Sequence, residues 1–228
     1  MSLMAVAALC AAAAAGGNPA PTGTDCKAVA REYQAAVARA APLLLTSESR
    51  DAIARVAYAE AGNQGDSGLA GVVYAIMNRL IDGGFGAGVP AVLNARGQFE
   101  PVGRVGGWDR LPARSAVEQA HIDTILNLAL DGRLPDPTNG ARYFQNPRIV
   151  ADRAGSGTVS PAVVNFGGQK PVAVIKDHAF YDAGTSGTGA APVPHSLILA
   201  PDTPSGGASP EQRQPASQPT SLFVPLSH

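Results

Sequence analysis

Charge is scarce in this chain of 228 residues: 15% of them are ionised, and 17 Lys and Arg against 18 Asp and Glu leave a formal net charge of −1. That balance gives no electrostatic footing for nucleic acid or an anionic membrane surface. Only two cysteines are present. This excludes a disulfide framework, and without a CxxC or a His/Cys cluster no structural metal is expected. No apolar run reaches the ~18 residues of a membrane-spanning helix. The motif G-x-S-x-G is missing, and Cys10 and Cys26 lie outside the informative region, so neither a serine nor a cysteine nucleophile is indicated. Gly83, Gly84, Gly86 and Gly88 precede no Gly-Lys-Ser/Thr, so they form no phosphate loop. No cofactor is expected.

What is present divides into four stretches. Residues 1–24 are an apolar, alanine-rich leader and linker. The run Leu3 to Ala15 has the length of a signal-peptide core, and Ala13-Ala14-Ala15 offers a cleavage site, although no Lys or Arg precedes it. The other reading is an alanine-rich N-terminus kept in the mature chain. Residues 25–46 carry an accessory helix with Val29, Tyr33, Val37 and Ala41 four apart, limited by Pro42. Residues 47–184 form the main domain, with interspersed charges of both signs, and carry the informative motifs. Residues 185–228, rich in Pro, Ser and Gly, read as a disordered tail. Ser221-Leu222-Phe223-Val224 is a candidate docking peptide there, whose partner would be a virion or envelope protein; a tail with no partner is the competing reading.

The domain opens with two helices. Ser47 or Ser49 caps the first, and Ile53, Val56, Ala57 and Ala61 make one apolar stripe. Glu60 falls on that side in the last turn, and Gly62 ends the helix. A carboxyl among apolar groups, at the negative end of a helix dipole, holds its proton more tightly. A protonated Glu is what general-acid cleavage of a glycosidic bond requires. From spacing alone, a surface Glu at a fraying end is the competing reading. The second helix begins at Asp66 or Ser67 and carries Leu69, Val72, Val73, Ile76, Met77 and Leu80, with Tyr74 and Asn78 on another face.

A short helix is expected at Val89–Leu93, a loop at Arg96–Val102, and a long helix at Ser115–Asp131 with Val117, Ile122, Ile125, Leu126 and Ala129 inside. His121 reads as exposed or locally satisfied. Asp136 to Gly140 is dense in turn residues. Tyr143-Phe144, Pro171–Lys176 and His178–Tyr181 read as short strands, the last two joined by a tight turn at Lys176-Asp177. Ala151–Lys170 reads as a long Gly/Ser-rich loop. Helices followed by short strands predict an α+β domain.

The order of Ala57-Tyr58-Ala59-Glu60-Ala61, Asn78-Arg79, Gln98 to Val102, Asp136 to Ala141, Tyr143 to Pro147 and His178-Ala179-Phe180-Tyr181 resembles the SleB/CwlJ-type cell wall hydrolases, which include the spore-cortex-lytic enzymes. The resemblance covers about Ser49 to Asp182. It implies a mainly helical, lysozyme-like core with a small antiparallel sheet. It also implies lytic transglycosylase activity on peptidoglycan glycan strands, with Glu60 as the catalytic acid/base. Tyr58, Asn78, Gln98, Phe99, Thr138, Tyr143, Asn146 and His178 are the substrate-binding candidates. Such an enzyme acts after export to the periplasm or cell envelope, or from a phage-like particle. The rival readings are a hydrolytic muramidase, with Asp66 or Glu100 as second carboxylate, and a non-catalytic glycan-binding or virion module.

Overall fold

The computed structural model describes residues 3–16 and 19–182. The expected tail at 185–228 and its docking peptide lie outside the described residues. Helices come first: α1 (Leu3–Ala14), α2 (Cys26–Leu44), α3 (Ser47–Ala61), α4 (Gly65–Asp82), α5 (Val89–Asn94), α6 (Glu100–Val105) and α7 (Ala116–Leu130). Then β1 (Tyr143–Gln145), α8 (Pro147–Gly155), the single turn α9 (Asn165–Gly168), β2 (Ala173–Ile175) and β3 (His178–Tyr181) follow. The three strands form one antiparallel sheet in the order β1-β3-β2, with Phe144 opposite Phe180 and Val174 opposite Ala179. The expected α+β architecture, mainly helical with a small antiparallel sheet, is the one observed.

The fold is organised around α4, in which every residue from Gly68 to Leu80 is buried. A helix buried on all sides must be covered all round. Its cover comes from α2, α3, α5, α7 and β2. Gly71 permits the approach of the sheet: a Cβ there would sit 2.7 Å from Cζ of Phe180. The stripe of α3 is the other half of the core, with Ile53, Val56, Ala57 and Ala61 fully excluded from solvent.

Several local expectations need correction. Thr46, rather than Ser47 or Ser49, caps α3, its hydroxyl accepting from the Ser49 N–H. Helix α2 runs through Pro42 to Leu44. Within the segment expected as a loop, Glu100–Val105 coils into α6, with Pro101 in its first turn. The supposed long loop at 151–170 contains most of α8, nucleated by Asn146, whose side chain accepts from the Arg148 and Ile149 N–H groups, and by Pro147 at the first helical position. Val117 is 81% exposed. It stands five residues before the buried Ile122, about 140° away around the helix.

The two cysteines, read as too few for a framework, are joined as Cys10–Cys26. The bond ties α1 to the start of α2. Met4, Ala5 and Cys10 are buried, and α1 leans on the turn at Gly140, where a Cβ would meet the Met4 carbonyl carbon at 2.5 Å. Gly140 has φ +77°, so both its backbone angle and its lack of a side chain are used.

Candidate active site

The last turn of helix α3 ends at Ala61, and Gly62 after it keeps right-handed helical angles, its N–H donating to the Tyr58 carbonyl, rather than the left-handed turn of a glycine stop. Glu60 in that last turn faces a groove of about 800 Å³ walled by the end of α3, α6, β1, α8 and β3. That volume suits a ligand of several rings. The floor is an aromatic cluster: Phe144 lies 5.0 Å from the His178 ring and 5.6 Å from Phe180, and Tyr143 lies 5.8 Å from Phe166. Apolar faces of this kind suit the flat sides of sugar rings.

Glu60 is half-buried, and its carboxyl is pushed up from the usual 4.5 to about 7. Loss of hydration is the main cause, and the negative charge of Glu100 adds to it; Arg79, the Glu100 backbone amide and Arg104 pull the other way. Near neutrality Glu60 therefore has a proton to give and a carboxylate form within reach. Glu100, on the same groove, behaves oppositely. Arg153 grips it bidentately at 2.9 and 3.0 Å, and Arg104 pairs with it four residues along α6. Those cations hold Glu100 below the ordinary carboxylate range.

Arg79, from the middle of α4, also reaches the groove. It is 2% exposed, and its guanidinium is boxed by Phe99 at 4.6 Å, Phe85 at 5.3 Å and Phe144 at 5.8 Å. Its Nε donates to the Arg142 carbonyl at 2.6 Å, while its Nη1 is buried without a hydrogen-bond partner. Gln64 Oε1, Gln98 Oε1 and His178 Nδ1 are likewise buried and unpartnered on residues that line the groove. Burial lowers the affinity of His178 for a proton, which favours its neutral form.

Of the residues named from sequence, Tyr58, Glu60, Gln98, Tyr143, Asn146 and His178 line this one groove. Asn78, Phe99 and Thr138 do not. Asn78 is fully buried, its Nδ2 donating toward Asp136 Oδ2 and the Ala141 carbonyl, each at 3.0 Å, with Thr138 Oγ1 at 3.3 Å. Thr138 is also fully buried, and its N–H and hydroxyl both donate to Asp136 Oδ1. The polar pair thus ties the 136–141 turn to α4, because a buried amide and hydroxyl must find partners. Phe99 is spent on Arg79 and Phe144 in the core. Of the two carboxylates weighed as a second acid, Glu100 lies in the groove, whereas the Asp66 side chain is 87% exposed and faces His121 at 3.3 Å. His121 Nδ1 in turn lies 3.1 Å from the Tyr58 hydroxyl.

Sequence reasoning missed Arg79, Gln64 and Arg153 as groove residues. Arg79 left a trace: it stands three residues after Ile76, a charge set beside an apolar stripe. Gln64 and Arg153 left none, since both depend on how distant segments close. Residues 63–181, just over half of the chain, match the family model described as Cell Wall Hydrolase. Glu60 lies three residues before that stretch. No curated protein and no solved structure matches the chain.

Proposed function

The chain belongs to the cell wall hydrolase family, and from that premise we propose that it degrades peptidoglycan by lytic transglycosylation, with Glu60 as acid and then base. The bond cut is that from C1 of N-acetylmuramic acid to N-acetylglucosamine. One observation carries the reading. Glu60 retains a proton close to neutral pH at the edge of a sugar-sized groove, while Glu100 beside it is locked as an ion by Arg153 and Arg104.

The chemistry needs one titrating group. Glu60 gives its proton to the glycosidic oxygen as the C1–O bond breaks. The C6 hydroxyl of the same muramic acid residue closes on C1, and its proton passes to the Glu60 carboxylate. The product carries a 1,6-anhydro ring, and Glu60 ends as it began. Because the nucleophile belongs to the substrate, proximity replaces the second carboxylate that most glycosidases require. Gln64 and Gln98 line the groove with side-chain amides, a group that pairs with acetamido substituents, and the Phe144–His178 floor suits the ring faces. Such an enzyme works in the periplasm or envelope, or from a phage-like particle.

Purified sacculi digested with the wild-type chain and with Glu60→Gln test this, with muropeptides read by mass spectrometry. Anhydro ends released by the wild type and lost in the variant are expected. Undiminished release by Glu60→Gln removes the assignment. A hydrolytic muramidase is the second reading, favoured by the charged Glu100 in the same groove. It predicts reducing ends instead.

A further inference from the structure

A buried guanidinium is costly unless an acceptor balances it. Arg79 makes no ion pair among the described residues, and one of its terminal nitrogens has no partner at all. Burial brings it down only to about 10, so it is a cation at neutral pH. Three aromatic rings and the Arg142 carbonyl fix its plane. It opens onto the groove that holds Glu60. Before reaction the groove thus contains a neutral acid and an unbalanced cation. Between the release of that proton and its return from the C6 hydroxyl, the groove contains a carboxylate and a cation.

We propose that Arg79 is a positioning residue for Glu60: a clamped cation that becomes the counter-charge of the carboxylate formed when Glu60 releases its proton. The cation favours departure of the proton and steadies the anion that must then collect one from the C6 hydroxyl. Without it, burial alone would leave Glu60 a weaker acid. The rings matter because they hold the guanidinium in place without neutralising it, as a second carboxylate would. Glu100 and Arg104 on α6 and Tyr143 on β1 also act on the pair, and the groove is further lined by Tyr58 on α3, Arg114, Glu118 on α7, Arg148 and Arg153 on α8, Asp177, and His178 on β3. Arg153 and Arg104 offset Glu100, which leaves Arg79 as the leading cation acting on Glu60. The catalytic meaning of this coupling rests on Glu60 being the acid, but the coupling itself does not.

The test is NMR on the full chain, which needs no substrate. The Arg79 guanidinium nitrogen and carbon shifts are followed from pH 5 to 9, together with the Glu60 carboxyl carbon. In the wild type the Arg79 signals are expected to step at the midpoint of Glu60, and in Glu60→Gln to stay flat. Arg79→Gln, which removes the charge, is expected to raise the Glu60 midpoint by about one unit, a tenfold change in ionisation. Arg79→Lys, which keeps the charge, is expected to leave most of it unchanged. The alkaline limb of sacculus digestion should follow the same order. No step at Arg79 in the wild type, or an unmoved Glu60 midpoint in folded Arg79→Gln, overturns the proposal. If Arg79→Gln fails to fold, the comparison of wild type with Glu60→Gln decides alone. Full activity in Glu60→Gln alongside an intact Arg79 step would instead sink the acid assignment and leave the coupling standing.

Discussion

Glu60 and Glu100 share one groove and titrate in opposite directions. Desolvation lifts Glu60 to about 7, and Arg153 with Arg104 holds Glu100 below its usual range. Two carboxyl groups with separated proton affinities are a signature of acid–base sites. Burial raises Glu60 with no cation within ion-pair distance among the described residues to offset it, whereas Glu100 has two arginines in contact.

The raised affinity of Glu60 has a cost in stability whose sign is fixed. The folded chain keeps a proton that the unfolded chain releases at about 4.5, so stability is lost as pH rises from there through about 7. The full shift corresponds to a ceiling on the order of 3 kcal/mol, reduced by the solvent contact Glu60 retains. Glu60→Gln removes the group. The variant is expected to match the wild type at pH 5 and to exceed it by about 1–3 kcal/mol at pH 8. Urea unfolding at both pH values measures this, and parallel pH dependences would show that Glu60 titrates normally.

Glu100→Gln probes the neighbour. The negative charge of Glu100 raises Glu60, and its removal also releases Arg153 and Arg104 to act on the groove. The alkaline limb of activity is therefore expected to move to lower pH by about half a unit to one unit. Anhydro ends should persist among the products. A limb that moves to higher pH, or a loss of reducing-end products on this substitution, would transfer a catalytic role to Glu100.

Much of this was legible in the sequence, and the boundary is physical. The stripes of α3 and α4 follow from periodicity, as does Glu60 at the end of one of them. The strands follow from aromatic and β-branched clusters, and the turn at Lys176 from its tight spacing. Amphipathic spacing states which side of a helix is buried, but not whether the other side is buried too. Asn78 shows this: it sits off the stripe yet has no solvent contact, and the 136–141 turn supplies all its hydrogen-bond partners on that face. The Arg153–Glu100 pair spans 53 residues, and no local pattern encodes such a meeting.

Asn78→Ala separates structure from binding. It leaves Asp136 and the Ala141 carbonyl without their α4 donor in a buried setting. A loss of about 2–3 kcal/mol is expected, from unmet acceptors more than from the bonds themselves. Activity per folded molecule at low temperature should be nearly unchanged. A stable variant with lost activity would place Asn78 in substrate contact after all.

The Cys10–Cys26 bond closes a separation of 16 residues and fastens α1 across the turn at Gly140. Closing a loop of that size removes freedom from the unfolded chain worth about 3 kcal/mol. The same turn carries Asp136, whose bonds to Asn78, Thr138 and Gly140 brace α4 close to Arg79. Dithiothreitol, or Cys26→Ser in the full-length chain, is thus expected to lower the melting temperature by several degrees. Partial loss of activity at the growth temperature should accompany it, with the Glu60 midpoint unchanged. Intact-mass measurement under non-reducing conditions supplies the control: with α1 retained, blocking free thiols adds no mass until the bond is reduced. If the mature chain instead begins after Ala15, Cys26 is alone, reductant changes nothing, and the fastening of α1 has no part in the working enzyme.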